Sequence, residues 1–115
     1  MNNNEHKLQI GCIKWFRLAY PSYTPNLFAI PNGGSRNIIE AKRLKDEGVL
    51  SGVADLFLSI AKKDFHGFYI EMKFGKNRQS ENQKKFEKNI VKYGYKYSLC
   101  YSFDEFMNLI NDYLK

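Results

Sequence analysis

Val53-Ala54-Asp55-Leu56-Phe57-Leu58-Ser59-Ile60-Ala61, the polar stretch Lys62-Lys63-Asp64, and His66-Gly67-Phe68-Tyr69-Ile70-Glu71-Met72-Lys73-Phe74 read as two apolar runs joined by a turn, a β-hairpin. Alternation places Leu56, Leu58 and Ile60 on one face with Phe68, Ile70, Met72 and Phe74. The other face collects Asp55, Phe57, Ser59, Tyr69, Glu71 and Lys73. Residues directly opposite on paired strands share a face. A turn with an odd number of residues, such as Lys62-Lys63-Asp64, sets Asp55 opposite Glu71. An even turn sets Asp55 opposite Met72 and scatters the carboxylates. Two carboxylates and an amine inside strand-like apolar sequence are costly to desolvate unless something pairs with them. A divalent cation held by the carboxylates, with the lysine addressing water or substrate, is an economical solution. An isolated Glu-x-Lys is most often solvated surface charge, but an Asp between apolar strand residues is disfavoured and asks for a reason.

Outward from the hairpin, Glu5 to about Ala19 has helical periodicity, with Leu8, Cys12, Trp15 and Ala19 on one face. Pro21 and Pro25 break it. Asn26 to Pro31 reads as a short strand ending at Asn32-Gly33-Gly34, and Ser35 is positioned to cap a helix from about Arg36 to Glu47, stopped by Gly48. Beyond the hairpin, Gly75-Lys76-Asn77-Arg78 is a basic loop. Ser80-Glu81-Asn82-Gln83 is a capping box opening a helix with the apolar stripe Phe86, Ile90 and Tyr93, stopped by Gly94. Tyr95 to Tyr101 alternates as a strand. Ser102 to Glu105 reads as a second capping box before a helix with Phe106, Leu109, Ile110 and Tyr113 inward. The order α-β-α-β-β-α-β-α predicts an α/β sandwich around a small mixed sheet, with residues 1–115 forming one domain.

Composition limits the function classes. Nine Phe, eight Tyr and one Trp supply a real core, and eighteen Lys/Arg against twelve Asp/Glu give a net charge of +6, permissive of a polyanionic partner. Cys12 and Cys100, far apart and in apolar contexts, read as reduced core thiols, and with only His6 and His66 beside them a structural zinc site is not expected. There is no signal-peptide pattern and no membrane-length apolar run, which predicts a cytoplasmic protein without a membrane partner. Asn32, Gly33 and Gly34 with Arg36 offer backbone amides and a guanidinium suited to phosphate, although a tight turn alone would also use those glycines. Lys42, Arg43, Lys45, Lys76 and Arg78 complete a basic surface for nucleic acid, while Lys84, Lys85, Lys88 and Lys92 read as the solvated face of a helix.

Taken in order, Phe28-Ala29-Ile30-Pro31-Asn32-Gly33-Gly34-Ser35-Arg36, Ala41-Lys42-Arg43-Leu44-Lys45-Asp46-Glu47-Gly48, Gly52-Val53-Ala54-Asp55-Leu56, Phe68-Tyr69-Ile70-Glu71-Met72-Lys73 and Ser80-x-x-Gln83 closely resemble the VRR-NUC domain, the virus-type replication-repair nuclease family of the PD-(D/E)xK superfamily. The resemblance runs from Glu5 to about Tyr101. It departs at Ala54, where the superfamily pattern has proline, a position that contributes no ligand.

The resemblance implies a restriction-endonuclease-like fold and a DNA endonuclease dependent on Mg²⁺ or Mn²⁺. Asp55, Glu71, Lys73 and Gln83 would be its catalytic residues. Asp55, Glu71, the Met72 carbonyl and Glu5 would be the metal ligands. Glu5 is equally what a helix's first turn favours, and Gln83 what a capping box requires; the roles are compatible. In-line attack at phosphorus would expel the 3′-oxygen and leave a 5′-phosphate. Similarity to Holliday-junction resolvases further implies branched DNA and a homodimer, its surface drawn from Trp15, Tyr20, Tyr23 and Tyr101. The alternatives are a non-cleaving nucleic-acid-binding module on the same fold and a small restriction-type enzyme.

Overall fold

The computed structural model describes residues 1–31 and 37–115. Helix α1 spans Asn3–Ala19, and a short 3-10 helix, Pro21–Asn26, leads into strand β1, Leu27–Ala29. Helix α2 is Ile38–Asp46, followed by β2 (Leu56–Leu58), β3 (Phe68–Met72), α3 (Glu81–Lys92), β4 (Lys96–Cys100) and α4 (Phe103–Leu114). This is the expected α-β-α-β-β-α-β-α order, an α/β architecture around a small mixed sheet.

The sheet order is β1-β2-β3-β4, antiparallel for the first two pairings and parallel between β3 and β4. A parallel pair needs a long crossover, which α3 supplies. The hairpin register pairs Leu56 with Ile70, Phe57 with Tyr69 and Leu58 with Phe68, the register of an odd connection. The turn that achieves it is not the three-residue Lys62-Lys63-Asp64. Lys63 and Asp64 alone reverse the chain, both with positive φ (51° and 68°), and Lys62 bridges to Phe65. A two-residue turn of this kind by itself gives the even register. One extra residue on the Ser59–Ala61 side restores the odd one, as a bulge does, while the Ser59 N–H continues the β1–β2 ladder to the Asn26 carbonyl at 2.8 Å.

Core packing follows the alternation. Leu56, Leu58, Phe68, Ile70 and Met72 are fully buried against Cys12 and Phe16 of α1 and Phe106, Ile110 and Tyr113 of α4. Each such side chain contributes about 1.5–3 kcal/mol. On the opposite face Ala54, Ile90 and Tyr97 are buried with Tyr69, Phe86, Tyr95 and Leu99 around them, under α3. Cys12 and Cys100 are free and buried, and burial raises both thiols, to about 12 and about 11, so they behave as inert core groups.

Several local expectations are corrected. The strands are shorter than the apolar runs: Phe74, expected in the core, is 43% exposed because the chain leaves the sheet after Met72 and turns at Gly75, φ +62°. Tyr93, expected on the inner stripe of α3, is 61% exposed because the helix ends there. Phe16, not Ala19, carries α1's inner face. The α2 cap is Asn37, whose side chain accepts the Glu40 N–H at 2.7 Å; Ser35, the expected cap, lies outside the described residues. Ser102 accepts the Glu105 N–H, but the Glu105 carboxylate takes the Tyr101 N–H rather than closing a capping box. Among the described residues no helix is long and apolar enough to cross a membrane.

Candidate active site

Asp55 sits immediately before β2 and Glu71 is the fourth residue of β3, one register step beyond the Leu56–Ile70 pair. The two carboxylates therefore converge on one face. Asp55 Oδ2 accepts the Met72 backbone N–H at 2.8 Å, which fixes its rotamer across the strand gap. Met72 thus reaches the site through its N–H. Glu71 and Lys73 are buried, 3% and 7% exposed, which removes the reading of both as solvated strand charges.

Gln83 holds the lysine and the glutamate together. Its Oε1 accepts from Lys73 Nζ at 2.9 Å and from the Ser80 backbone N–H at 2.9 Å, while Nε2 donates to Glu71 Oε2 at 2.9 Å. Ser80 Oγ accepts the Gln83 N–H at 3.2 Å, so the capping box and the site are one hydrogen-bond network. The direct Lys73–Glu71 separation is 3.9 Å, too long for a hydrogen bond, so the glutamine carries that contact. The start of α3 is pressed against the chain entering β2. Gly52 has φ +95°, and a Cβ there would come within 2.6 Å of the Asn82 backbone, so only glycine permits this approach. Asn82 Nδ2 also donates to Ser51 Oγ at 3.1 Å.

The electrostatics of the carboxylate pair are unbalanced. Burial raises Asp55, and burial followed by the facing Asp55 charge raises Glu71, with Lys73 opposing both. Glu71 Oε1 is buried and has no donor among the described residues. Two facing carboxyls can hydrogen-bond only when one keeps a proton, so they titrate as a pair. The alternative to that proton is a cation, and oxygen donors of this kind suit a hard divalent ion. Among the described residues no three His, Cys, Asp or Glu side chains are gathered tightly enough to hold a metal by themselves.

Glu5 is 7% exposed and lines the same cleft, of about 530 Å³, as Gln9, Asp55, Glu71, Lys73 and Gln83. It is also the N3 residue of a capping box with Asn2, so its place in the first turn of α1 is accounted for by the helix end as well. The sequence reading missed three participants. Asn2 was detectable, since Asn2-x-x-Glu5 is a capping pattern. Asn77, which donates to Glu5 Oε2 at 2.6 Å, had no local signal. Gln9 lies one turn after Glu5 with a buried Oε1 that has no hydrogen-bond partner among the described residues.

The comparisons with known proteins identify the family and the fold. A family model described as the VRR-NUC domain matches residues 4–104. The chain belongs to the VRR-NUC domain family. A solved structure described as a VRR_NUC domain protein superposes with a TM-score of 0.85 at 24% identity, covering 99% of this chain and 90% of the other. That likeness carries the fold. No curated protein matches the chain.

The VRR-NUC domain is a nuclease domain, which implies DNA as substrate. Of the basic candidates, Asn32, Gly33, Gly34 and Arg36 lie outside the described residues. Lys42 and Lys45 are exposed on α2, where Lys42 pairs with Asp46 at 2.8 Å. Lys76 and Arg78 are exposed in the loop that connects Lys73 to α3 and so stand nearer the carboxylates in the chain.

Proposed function

We propose that this VRR-NUC domain is a divalent-metal-dependent endonuclease that hydrolyses DNA phosphodiester bonds, selecting branched structure rather than base sequence. The observation that carries the reading is the bridge from Glu71 through Gln83 to Lys73, closed beside a convergent Asp55 in the cleft that Glu5 also lines. Asp55, Glu71 and the Met72 carbonyl would hold Mg²⁺ or Mn²⁺, with Glu5 as a further carboxylate at the cleft. Bound there, the cation supplies charge neutralisation at the phosphate and a lowered pKa for water.

The chain's own groups do the rest. Lys73 uses one N–H on Gln83 and has two left for a water or a phosphate oxygen. Its service is electrostatic, toward charge developing on phosphorus. Gln83 fixes the lysine and glutamate at once, so neither must reorganise as the charge moves. Lys76 and Arg78 are suited to the DNA backbone, where binding weakens steeply with salt.

The test is incubation with junctions, flaps, forks and linear duplex in Mg²⁺, Mn²⁺ or EDTA. Cleavage of branched substrates in either metal, none in EDTA and none with Asp55→Ala is expected. Cleavage that survives Asp55→Ala rejects this site, and binding without cleavage in every metal leaves a non-cleaving module. Resolving a junction takes two cuts and hence two sites, which we propose a homodimer provides. Trp15 is packed against Tyr20, Phe103 and Phe106, and Tyr20 and Tyr23 lie against the core. Among the described residues the most exposed large apolar side chains are instead Ile38 and Ile39 on α2, 87% and 82% exposed, and Leu18 on α1, 84% exposed. Light scattering at twice the chain mass is expected; a monomer that resolves junctions contradicts the dimer.

A further inference from the structure

We propose that Asn77 is a positioning residue that holds the Glu5 carboxylate through Oε2, leaving Oε1, which takes the long Asn2 N–H contact, as the oxygen offered to a divalent cation in the cleft. The inference rests on the nuclease reading above.

The two oxygens of Glu5 are treated unequally. Oε2 takes the Asn77 Nδ2 donor at 2.6 Å and the Asn2 Nδ2 donor at 3.2 Å. Oε1 takes only the Asn2 backbone N–H at 3.4 Å, at the limit of a hydrogen bond. The shortest contact, an amide to an ionised carboxylate, is of the strong charge-assisted kind. It also comes from furthest away, across 72 residues of sequence, and so fixes the carboxylate against a different part of the fold. The capping box alone would leave Glu5 anchored to its own helix end.

Asn77 is exposed, and an exposed asparagine is ordinarily a poor anchor. Here its backbone is tied on both sides. Its N–H donates to the Phe74 carbonyl at 3.2 Å, across the turn at Gly75, and its carbonyl accepts the Tyr101 hydroxyl at 2.8 Å. Tyr101 follows β4, the strand paired with β3, so the loop is referenced to the same sheet that carries Glu71. The chain Tyr101–Asn77–Glu5 therefore transmits the sheet's position to the start of α1. Partners that orient a metal-binding carboxylate in this manner typically change metal affinity by about 10–100-fold when removed.

The experiment is calorimetric titration of Mn²⁺ into metal-free wild type, Asn77→Ala, Glu5→Gln and the double variant, with thermal melts in EDTA to compare folding. Asn77→Ala is expected to weaken Mn²⁺ binding by about tenfold or more, and to add nothing in the Glu5→Gln background, because the two act as one unit. In cleavage assays its deficit should appear at limiting Mn²⁺ and disappear at saturating Mn²⁺, with KM for DNA unchanged. A merely structural tether would lower the melting temperature without this metal-dependent rescue. Should Asn77→Ala fail to fold, Tyr101→Phe removes only the hydroxyl and should give a smaller loss in the same direction, again absent in Glu5→Gln. Unaltered Mn²⁺ affinity in the folded variant, or an equal loss with Glu5 already replaced, overturns the proposal. Absence of Mn²⁺ binding by the wild type would instead reject the metal-dependent reading itself.

Discussion

Lys73→Met is expected to lower the cleavage rate by about a hundredfold or more while leaving DNA binding in EDTA near the wild-type value. The first half follows from the lysine's place. Lys73 is 7% exposed, its ammonium is fixed by Gln83 Oε1 at 2.9 Å, and it is the buried cation beside the paired carboxylates among the described residues. Removing one preorganised charge or donor aimed at developing transition-state charge costs about 10²–10³ in rate. The second half follows because the exposed residues suited to the DNA backbone, Lys76 and Arg78, are untouched. Methionine keeps the apolar stem, so the change removes charge more than packing. Single-turnover cleavage and binding titrations measure the two halves separately. A variant that binds DNA as weakly as it cuts it would place Lys73 in substrate binding, and one that cuts normally would remove it from the site.

The hairpin shows what could be read before any coordinates. Alternation names the faces, and the register hangs on whether the turn is odd or even, because a one-residue slip exchanges every side chain between core and solvent. The turn itself was not legible. Lys63 and Asp64 both adopt left-handed backbone without the Gly or Asn that usually announces it, and the compensating residue at Ser59–Ala61 leaves no sequence mark. Gln83 was legible twice, as a capping partner and as a site residue, and the structure shows why the two were hard to separate: one Oε1 serves both.

Strand ends were the weak point. Phe74 and Tyr93 continue their apolar patterns, and only the turn at Gly75 and the helix end at Tyr93 take them out of the interior. Periodicity registers which face a residue would use, and not whether the element still exists there. Glu5 marks the other limit. Locally it is fully explained as the third residue of a capped helix. Its contact with Asn77 depends on how α1 packs against the loop after β3, which no spacing in the chain encodes.

Glu71→Gln is expected to make the metal-free protein more stable at alkaline pH while destroying cleavage. Glu71 is pushed from an ordinary carboxylate value near 4.5 up to about 9, by burial first and the Asp55 charge second. An acid whose folded pKa lies above its unfolded pKa keeps its proton in the native state and loses it on unfolding. Between about pH 4.5 and about 9 the native state therefore binds more protons, and stability falls as pH rises. The slope from one group is at most about 1.4 kcal/mol per pH unit. Glutamine does not titrate and can still accept from Gln83 Nε2, so this contribution to the slope vanishes. In EDTA the urea midpoints of wild type and variant should nearly coincide at pH 5 and diverge in the variant's favour by pH 8.5. Mn²⁺ should reverse the order at pH 8.5, since a ligand that binds only the native wild type stabilises it by mass action. Parallel stability curves across this range would mean that Glu71 is compensated within the protein, and would remove the charge imbalance from which the cation site is argued.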